Sequence, residues 1–297
     1  MAYSHKIYWN HHYVGAEDAF DTTRKSENIV NTIGANNITD PHHMIHVADK
    51  AIRHGLDIDY YGALKTGIPS QLANSNGFNW EPGIWEMARN STAGVIAATQ
   101  TALNQGIAGS LSSGLHHADP NTGAGYCTVN GLAITANWYN DTHITILDFD
   151  AHCGGGTVRS LRHYGIDHRV EQYDISTNKY DSYREDETHT INIVTNDNQY
   201  LRHVDQTLEN INPNTDLILY NAGTDPYPII SYATMQQRDS MVFMHAKATN
   251  TPIAYVLAGG YTWEQTMANL VQTHISTIEA AEHAHTMTRH YIPTPVS

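Results

Sequence analysis

The chain has little cysteine, little positive charge and no long apolar run. Its 297 residues include two cysteines, Cys127 and Cys153, with no CxxC spacing. That count argues against a secreted disulfide scaffold and fits a reducing compartment. No apolar stretch approaches the ~20 residues that span a bilayer. Met1 to Asn10 alternates polar and apolar residues without the apolar centre of a signal peptide. The expectation is a soluble, cytoplasmic protein with no membrane insertion. Lys and Arg number 16 against 30 Asp and Glu, a formal net charge of −14. Such a surface repels nucleic-acid phosphates, so no nucleic-acid partner is expected. It attracts cationic substrates such as lysine-bearing peptides or polyamines. No Gly/Ser linker, charge block or fixed-period repeat divides the chain, so residues 1–297 read as one domain with a substantial core.

What is present is an alternation of β-rich runs and helical segments. Lys6–Trp9, His143–Phe149, Val170–Ile175, Asp216–Tyr220 and Pro252–Leu257 read as strands, and Ile107–Leu115 as a strand of small residues. Ile84–Leu103 and Thr262–Ala281 carry apolar residues at helical spacing. The alternation implies an α/β fold with a parallel sheet covered on both faces. In such sheets ligands sit beyond the carboxyl ends of the strands, and the polar residues of interest fall there.

The strand His143–Phe149 runs into Asp150-Ala151-His152-Cys153-Gly154-Gly155-Gly156, so Asp148, Asp150 and His152 alternate. Extended geometry puts all three on one side, where buried charges must be paired or bind a metal. A strand-end aspartate capping a helix explains one acid but not the trio. Asp216–Tyr220 opens into Asn221-Ala222-Gly223-Thr224-Asp225, and Asp225 alone reads as a turn residue. With Asp150 and His152 it completes a three-ligand set that leaves metal positions open, as in catalytic sites. Carboxylate-plus-imidazole ligation suits Zn²⁺, with Fe²⁺ or Mn²⁺ as alternatives. His116-His117 follow a strand and precede the glycine-rich loop Gly123-Ala124-Gly125-Tyr126-Cys127. The pairs His11-His12 and His42-His43 have no such setting. Tyr261, after Ala258-Gly259-Gly260, is either a packing residue or a phenol placed to donate to an oxyanion. Cys127 and Cys153 both lie in these motifs. They read as inert core residues, the alternative being a disulfide that shuts the site.

Four motifs, GLHHADPNTGAGYC, LDFDAHCGGG, LYNAGTDPYP and LAGGYT, resemble those of the histone deacetylase family in order and approximate spacing, over about Trp80 to Ile278. DFDAH, YNAGTD and Arg238-Asp239 before Val242-Phe243 look closest to its class IV branch. The resemblance implies an arginase–deacetylase fold, a single α/β domain with a mainly parallel eight-stranded sheet flanked by helices. It implies Asp150, His152 and Asp225 as zinc ligands, and His117 as general base and then acid with His116 as its electrostatic partner. Asp148 would orient His116 and, with Asp174, touch a structural K⁺ or Na⁺. Tyr261 would stabilise the oxyanion. Gly125 and Tyr126 would line an acyl-lysine tunnel, opposite Tyr180 or Tyr183.

Two departures stand out. Relatives place Asp or Asn where this chain has Gly155, which predicts a His117 without a side-chain partner. The family's substrate-clamping aspartate has no match, although Asn76, Asn79 and Glu81 lie nearby. The implied activity is zinc-dependent deacylation of acyl-lysine in peptides or proteins, extended by the class IV likeness to long acyl chains. An acetylpolyamine or other small-molecule amidohydrolase is the alternative. A metal-binding module that recognises acyl-lysine without turnover is a third reading, which intact His117 and Tyr261 disfavour.

Overall fold

The computed structural model describes residues 2–16, 21–263 and 265–287, the side chains of residues 21–23 excepted. Eight strands form one sheet: β1 (Lys6–Tyr8), β2 (Ile38–Thr39), β3 (Ile107–Ser110), β4 (Ile144–Asp148), β5 (Val170–Ser176), β6 (His189–Ile193), β7 (Leu217–Gly223) and β8 (Ile253–Ala258). Their order is β2-β1-β3-β8-β7-β4-β5-β6. Every pairing is parallel. The expected "mainly parallel" sheet is thus wholly parallel.

The alternation along the strands sorts side chains onto two faces. Ile144, Ile146, Leu217, Leu219, Ala254 and Val256 belong to one core cluster with the helices Ile45–Gly55, Pro82–Gln105 and Gly131–Trp138. Leu147, Ile218, Tyr220, Ile253, Tyr255 and Leu257 belong to the other, against Asp197–Glu209, Tyr232–Thr249 and Met267–Thr286. Helix Pro82–Gln105 starts with Pro82 in its first turn, where a missing N–H costs nothing. It buries Ala88, Ala93, Gly94, Ala97 and Ala98, small enough to bring its axis close to the sheet. Gly94 is required there, since a Cβ would lie 1.6 Å from the Tyr13 hydroxyl.

Most expected elements shift at their ends by one to three residues. The helix expected over Thr262–Ala281 starts later, at Met267, where Thr266 caps it by accepting from the Asn269 N–H. Glu264, within the expected range, lies outside the described residues. The strand expected over Ile107–Leu115 ends at Ser110, so the two histidines come from a turn beyond it. Strands β2 and β6 escape a pattern search because both are edges: β2 has two half-buried residues, and only His189 is fully buried in β6. Because all strands run the same way, the carboxyl ends of β3, β4, β5, β7 and β8 open on one edge. There the chain places its acids and histidines.

Candidate active site

At that edge Asp150, His152 and Asp225 offer ligand atoms that all lie within 4.8 Å of one another. His152 Nδ1 is 3.4 Å from Asp150 Oδ1 and 3.8 Å from Asp225 Oδ2. Ligands about 2.1 Å from a tetrahedral metal sit about 3.4 Å apart, so this donor set fits zinc. The expected pairing of motifs is therefore spatial: β4 and β7 are neighbours with Asp148 opposite Asn221. Gly223 lets the two chain ends converge, because a Cβ on it would meet the Asp150 Cα at 2.5 Å.

The electrostatics of the trio are unbalanced. Burial and the charge of Asp150 push Asp225 up to about 7. Asp150 is buried too, yet the hydrogen bond and charge of His152 with the charge of His116 hold it well below the usual carboxylate range. His152 is raised against its own burial by Asp150 and Asp225. Two buried carboxylates in one site cannot both ionise easily, and a divalent cation removes that conflict. The Gly260 N–H also donates to Asp225 Oδ1. Lys25, buried beside Gly259, gives its ammonium to the Gly259 carbonyl.

His116 and His117 face the same cavity in opposite states. His116 Nδ1 bonds Asp148 Oδ2 at 2.8 Å. Burial lowers its pKa, but Asp148, with Asp150 and Asp174 behind, pushes it up to about 10. His117 is lowered by burial and by the charge on His116. Two titratable neighbours driven apart in this way are suited to one charged and one neutral role.

The expectation of an unsupported His117 is corrected. Its Nδ1 lies 2.8 Å from Asp181 Oδ2. Asp181 sits at φ 58° and is held by the Gly156 N–H at 3.0 Å and by Arg159 Nη1 at 2.7 Å. Arg159 in turn bonds Asp119 at 2.8 Å. Gly155 is glycine for a reason, since a Cβ there would meet the Asp181 carbonyl at 2.1 Å and its Oδ1 at 2.6 Å. The carboxylate comes from the loop after β5 instead of the loop after β4. In the sequence, only Gly155 hinted at this.

A cavity of about 390 Å³ opens above the trio, lined by His116, His117, Gly125, Tyr126, Tyr180 and Tyr261 among others. Tyr180 stands edge-on to His117, ring centroids 5.0 Å apart, while Tyr126 lies 5.5 Å from Phe78. Of the two tyrosines expected opposite Tyr126, Tyr183 turns inward and donates to Asp174 at 2.6 Å. Tyr261 is held protonated by burial and by the charges of Asp225 and Asp150. Its ring stacks on Trp263 at 4.0 Å and 9°. Trp263 also lines the cavity, and no sequence signal marked it. Asn76 is buried, donating to Thr128 Oγ1 and accepting the Phe78 N–H, so it braces the loop and is closed to substrate. Cys127 and Cys153 are both free and buried. Burial pushes the Cys153 thiol up to about 12, which keeps it unreactive.

Comparison with known proteins follows the same lines. The histone deacetylase domain matches residues 36–278. The chain belongs to the histone deacetylase family. Named members of the family are deacetylases and the family generally depends on metal, a requirement that the acid–histidine cluster could meet. The chain is 26% identical to an uncharacterized protein of Picosynechococcus over 68% of its length and 72% of that protein's. It is 29% identical to histone deacetylase 2 of Arabidopsis thaliana over 58% of this chain and 49% of that one. Identity to a probable deacetylase of Archaeoglobus fulgidus is 31%, over 61% and 58% of the two chains. The match thus spans about half to three-fifths of these last two relatives. No described helix is long and apolar enough to cross a membrane.

Proposed function

We propose that the chain hydrolyses the amide of N-acyl-lysine in peptides or proteins, using one zinc ion held by Asp150, His152 and Asp225. The observation that carries this reading is the convergence of that ligand set, the His116–His117 pair and Tyr261 on one aromatic-walled cavity. Zinc, when bound, would polarise the scissile carbonyl and acidify water. His117, donating Nδ1–H to Asp181, keeps Nε2 as the acceptor that takes the water's proton and returns it to the departing amine. His116, kept cationic by Asp148, places a fixed positive charge beside the reacting carbonyl. Tyr261 donates its hydroxyl to the developing oxyanion. Tyr126 and Tyr180 flank the lysine methylenes. Fe²⁺ satisfies the same donors, and metal analysis of protein purified without added metal separates the two.

The polyamine alternative is disfavoured by the cavity wall. Among its described lining residues the carboxylates are Asp150 and Asp225, both occupied as ligands, so a distant amine finds no counter-charge. Behind Ser113 and Leu115 a further space of about 50 Å³ is lined by Tyr13, Lys25 and Ser91. That volume suits a short acyl group, against the long chains suggested by the class IV likeness. A structural K⁺ or Na⁺ beside Asp148 and Asp174 stays part of this reading, with Asp174 also accepting from Gly154, Gln172 and Tyr183.

The test is a turnover profile over acetyl-, butyryl-, octanoyl- and myristoyl-lysine peptides beside acetylated polyamines. The expected order is acetyl and butyryl peptides first. Faster turnover of acetylpolyamine than of every peptide would replace the proposal.

A further inference from the structure

The pair Arg238-Asp239 has no part in the chemistry above, yet it lies directly behind the ligands. Arg238 sits on the helix Tyr232–Thr249 and is fully buried. Its Nη1 donates to the Gly223 carbonyl at 2.7 Å, to the Phe149 carbonyl at 3.1 Å and to the Tyr200 hydroxyl at 3.1 Å. Tyr200 also donates to the Phe149 carbonyl, at 3.2 Å. On the other side Arg238 Nε bonds Asp239 Oδ1 at 2.9 Å. Asp239 is itself fixed by the Tyr220 hydroxyl and by Thr277 at 2.6 Å.

The two carbonyls matter because of where they stand. Phe149 precedes Asp150 by one residue, and Gly223 precedes Asp225 by two. The ladder between β4 and β7 ends with Phe149 N–H donating to Asn221 O at 3.2 Å. Beyond that rung, Gly223 pairs with Ala258 of β8 instead. No further backbone bond ties the two ligand-bearing ends among the described residues. The guanidinium bridges them where the ladder stops.

We infer that Arg238 is a positioning residue for the metal site, clamping Phe149 O and Gly223 O so that Asp150 and Asp225 keep their spacing. This rests on the reading that Asp150, His152 and Asp225 hold a metal. An arginine suits the task because its planar fork serves several acceptors at fixed angles, whereas a lysine presents one flexible point charge. Partners one shell behind a metal's ligands typically change its affinity about 10- to 100-fold when altered.

The test measures zinc affinity by chelator competition, at a temperature where circular dichroism shows each variant folded. The proteins are wild type, Arg238→Lys, Tyr200→Phe and Ile134→Ala. Ile134 is buried in the core on the opposite face of the sheet, so its variant loses stability without touching the clamp. Arg238→Lys is expected to weaken zinc binding about 10- to 100-fold, and Tyr200→Phe toward the lower end of that range. Ile134→Ala should bind as wild type does. Should Arg238→Lys fail to fold, Tyr200→Phe decides alone. Folded clamp variants that bind zinc within twofold of wild type overturn the inference. Equal weakening in Ile134→Ala overturns it too, by assigning the loss to stability. Absence of zinc binding in wild type instead sinks the metal reading on which it stands.

Discussion

Two clusters of buried charge meet the same strand ends from opposite sides, and they are built differently. Behind β4 and β7, Arg238 and Asp239 neutralise each other, and the hydroxyls of Tyr200, Tyr220 and Thr277 bond to the pair. In front, Asp150 and Asp225 crowd each other and drive Asp225 up to about 7. A charge-balanced network rigidifies its surroundings. Buried carboxylates left in conflict favour the binding of a cation. The contrast separates balanced from unbalanced buried charge without reference to any relative.

The largest effect should come from deleting a member of the unbalanced cluster. Asp225→Ala is expected to lose both zinc and deacylase activity, read by metal analysis and turnover. If Asp225→Ala retains one zinc per chain, the front cluster is not the site.

Next come the groups around the ligands. His117→Ala should keep zinc and lose proton transfer, a step worth roughly 10²–10⁴ in rate. Tyr261→Phe should also keep zinc, and lower kcat more than it raises KM, by about 10²–10³. Wild-type turnover in Tyr261→Phe would require another donor to the oxyanion and would defeat the mechanism proposed.

Asp181→Asn probes the carboxylate that stands where the sequence promised nothing. Asparagine retains the shape but presents an amide toward His117 Nδ1, so the imidazole can turn or change tautomer. Misplacement of this kind costs about 10²-fold. Zinc content should hold, and kcat should fall while KM stays near its wild-type value. A matching loss of zinc would make Asp181 part of the metal site instead.

Legibility follows from how local each feature is. The central strands were readable because parallel sheets bury both faces and write continuous apolar runs, as in Ile144–Asp148 and Leu217–Gly223. The convergence of Asp150, His152 and Asp225 was readable because a buried strand end tolerates a carboxylate only where a partner or a metal meets it. Edge strands β2 and β6 were not, since half-buried residues need no pattern. Asp181 was invisible for a different reason: it reaches His117 across 64 residues through a left-handed turn, and no spacing rule connects them. The choice between Tyr180 and Tyr183 also needed three dimensions, because both are tyrosines in one loop and only a partner, Asp174, separates them.

The smallest expected effect concerns pH, and it sharpens the comparison most directly. In metal-free protein Asp225 is raised from the ordinary carboxylate range to about 7. Between about pH 4 and about pH 7 the folded state therefore holds a proton that the unfolded chain has released. Stability rises with pH only where the unfolded state binds more protons, so here it must fall as pH climbs from about 4 to about 7 and level off above. The melting temperature of the metal-free protein should drop by a few degrees between pH 5.5 and pH 8, relative to Asp225→Asn, which has no such proton to lose. Zinc reverses the trend, because its binding requires the ligands deprotonated and so strengthens with pH. At a free concentration a hundredfold above Kd it contributes about 2.7 kcal/mol. Asp239→Asn, which removes the counter-charge of Arg238, should lower the melting temperature and leave the pH trend set by Asp225 in place. A wild-type curve flat across this range, parallel to that of Asp225→Asn, would mean that the front cluster is as balanced as the rear one.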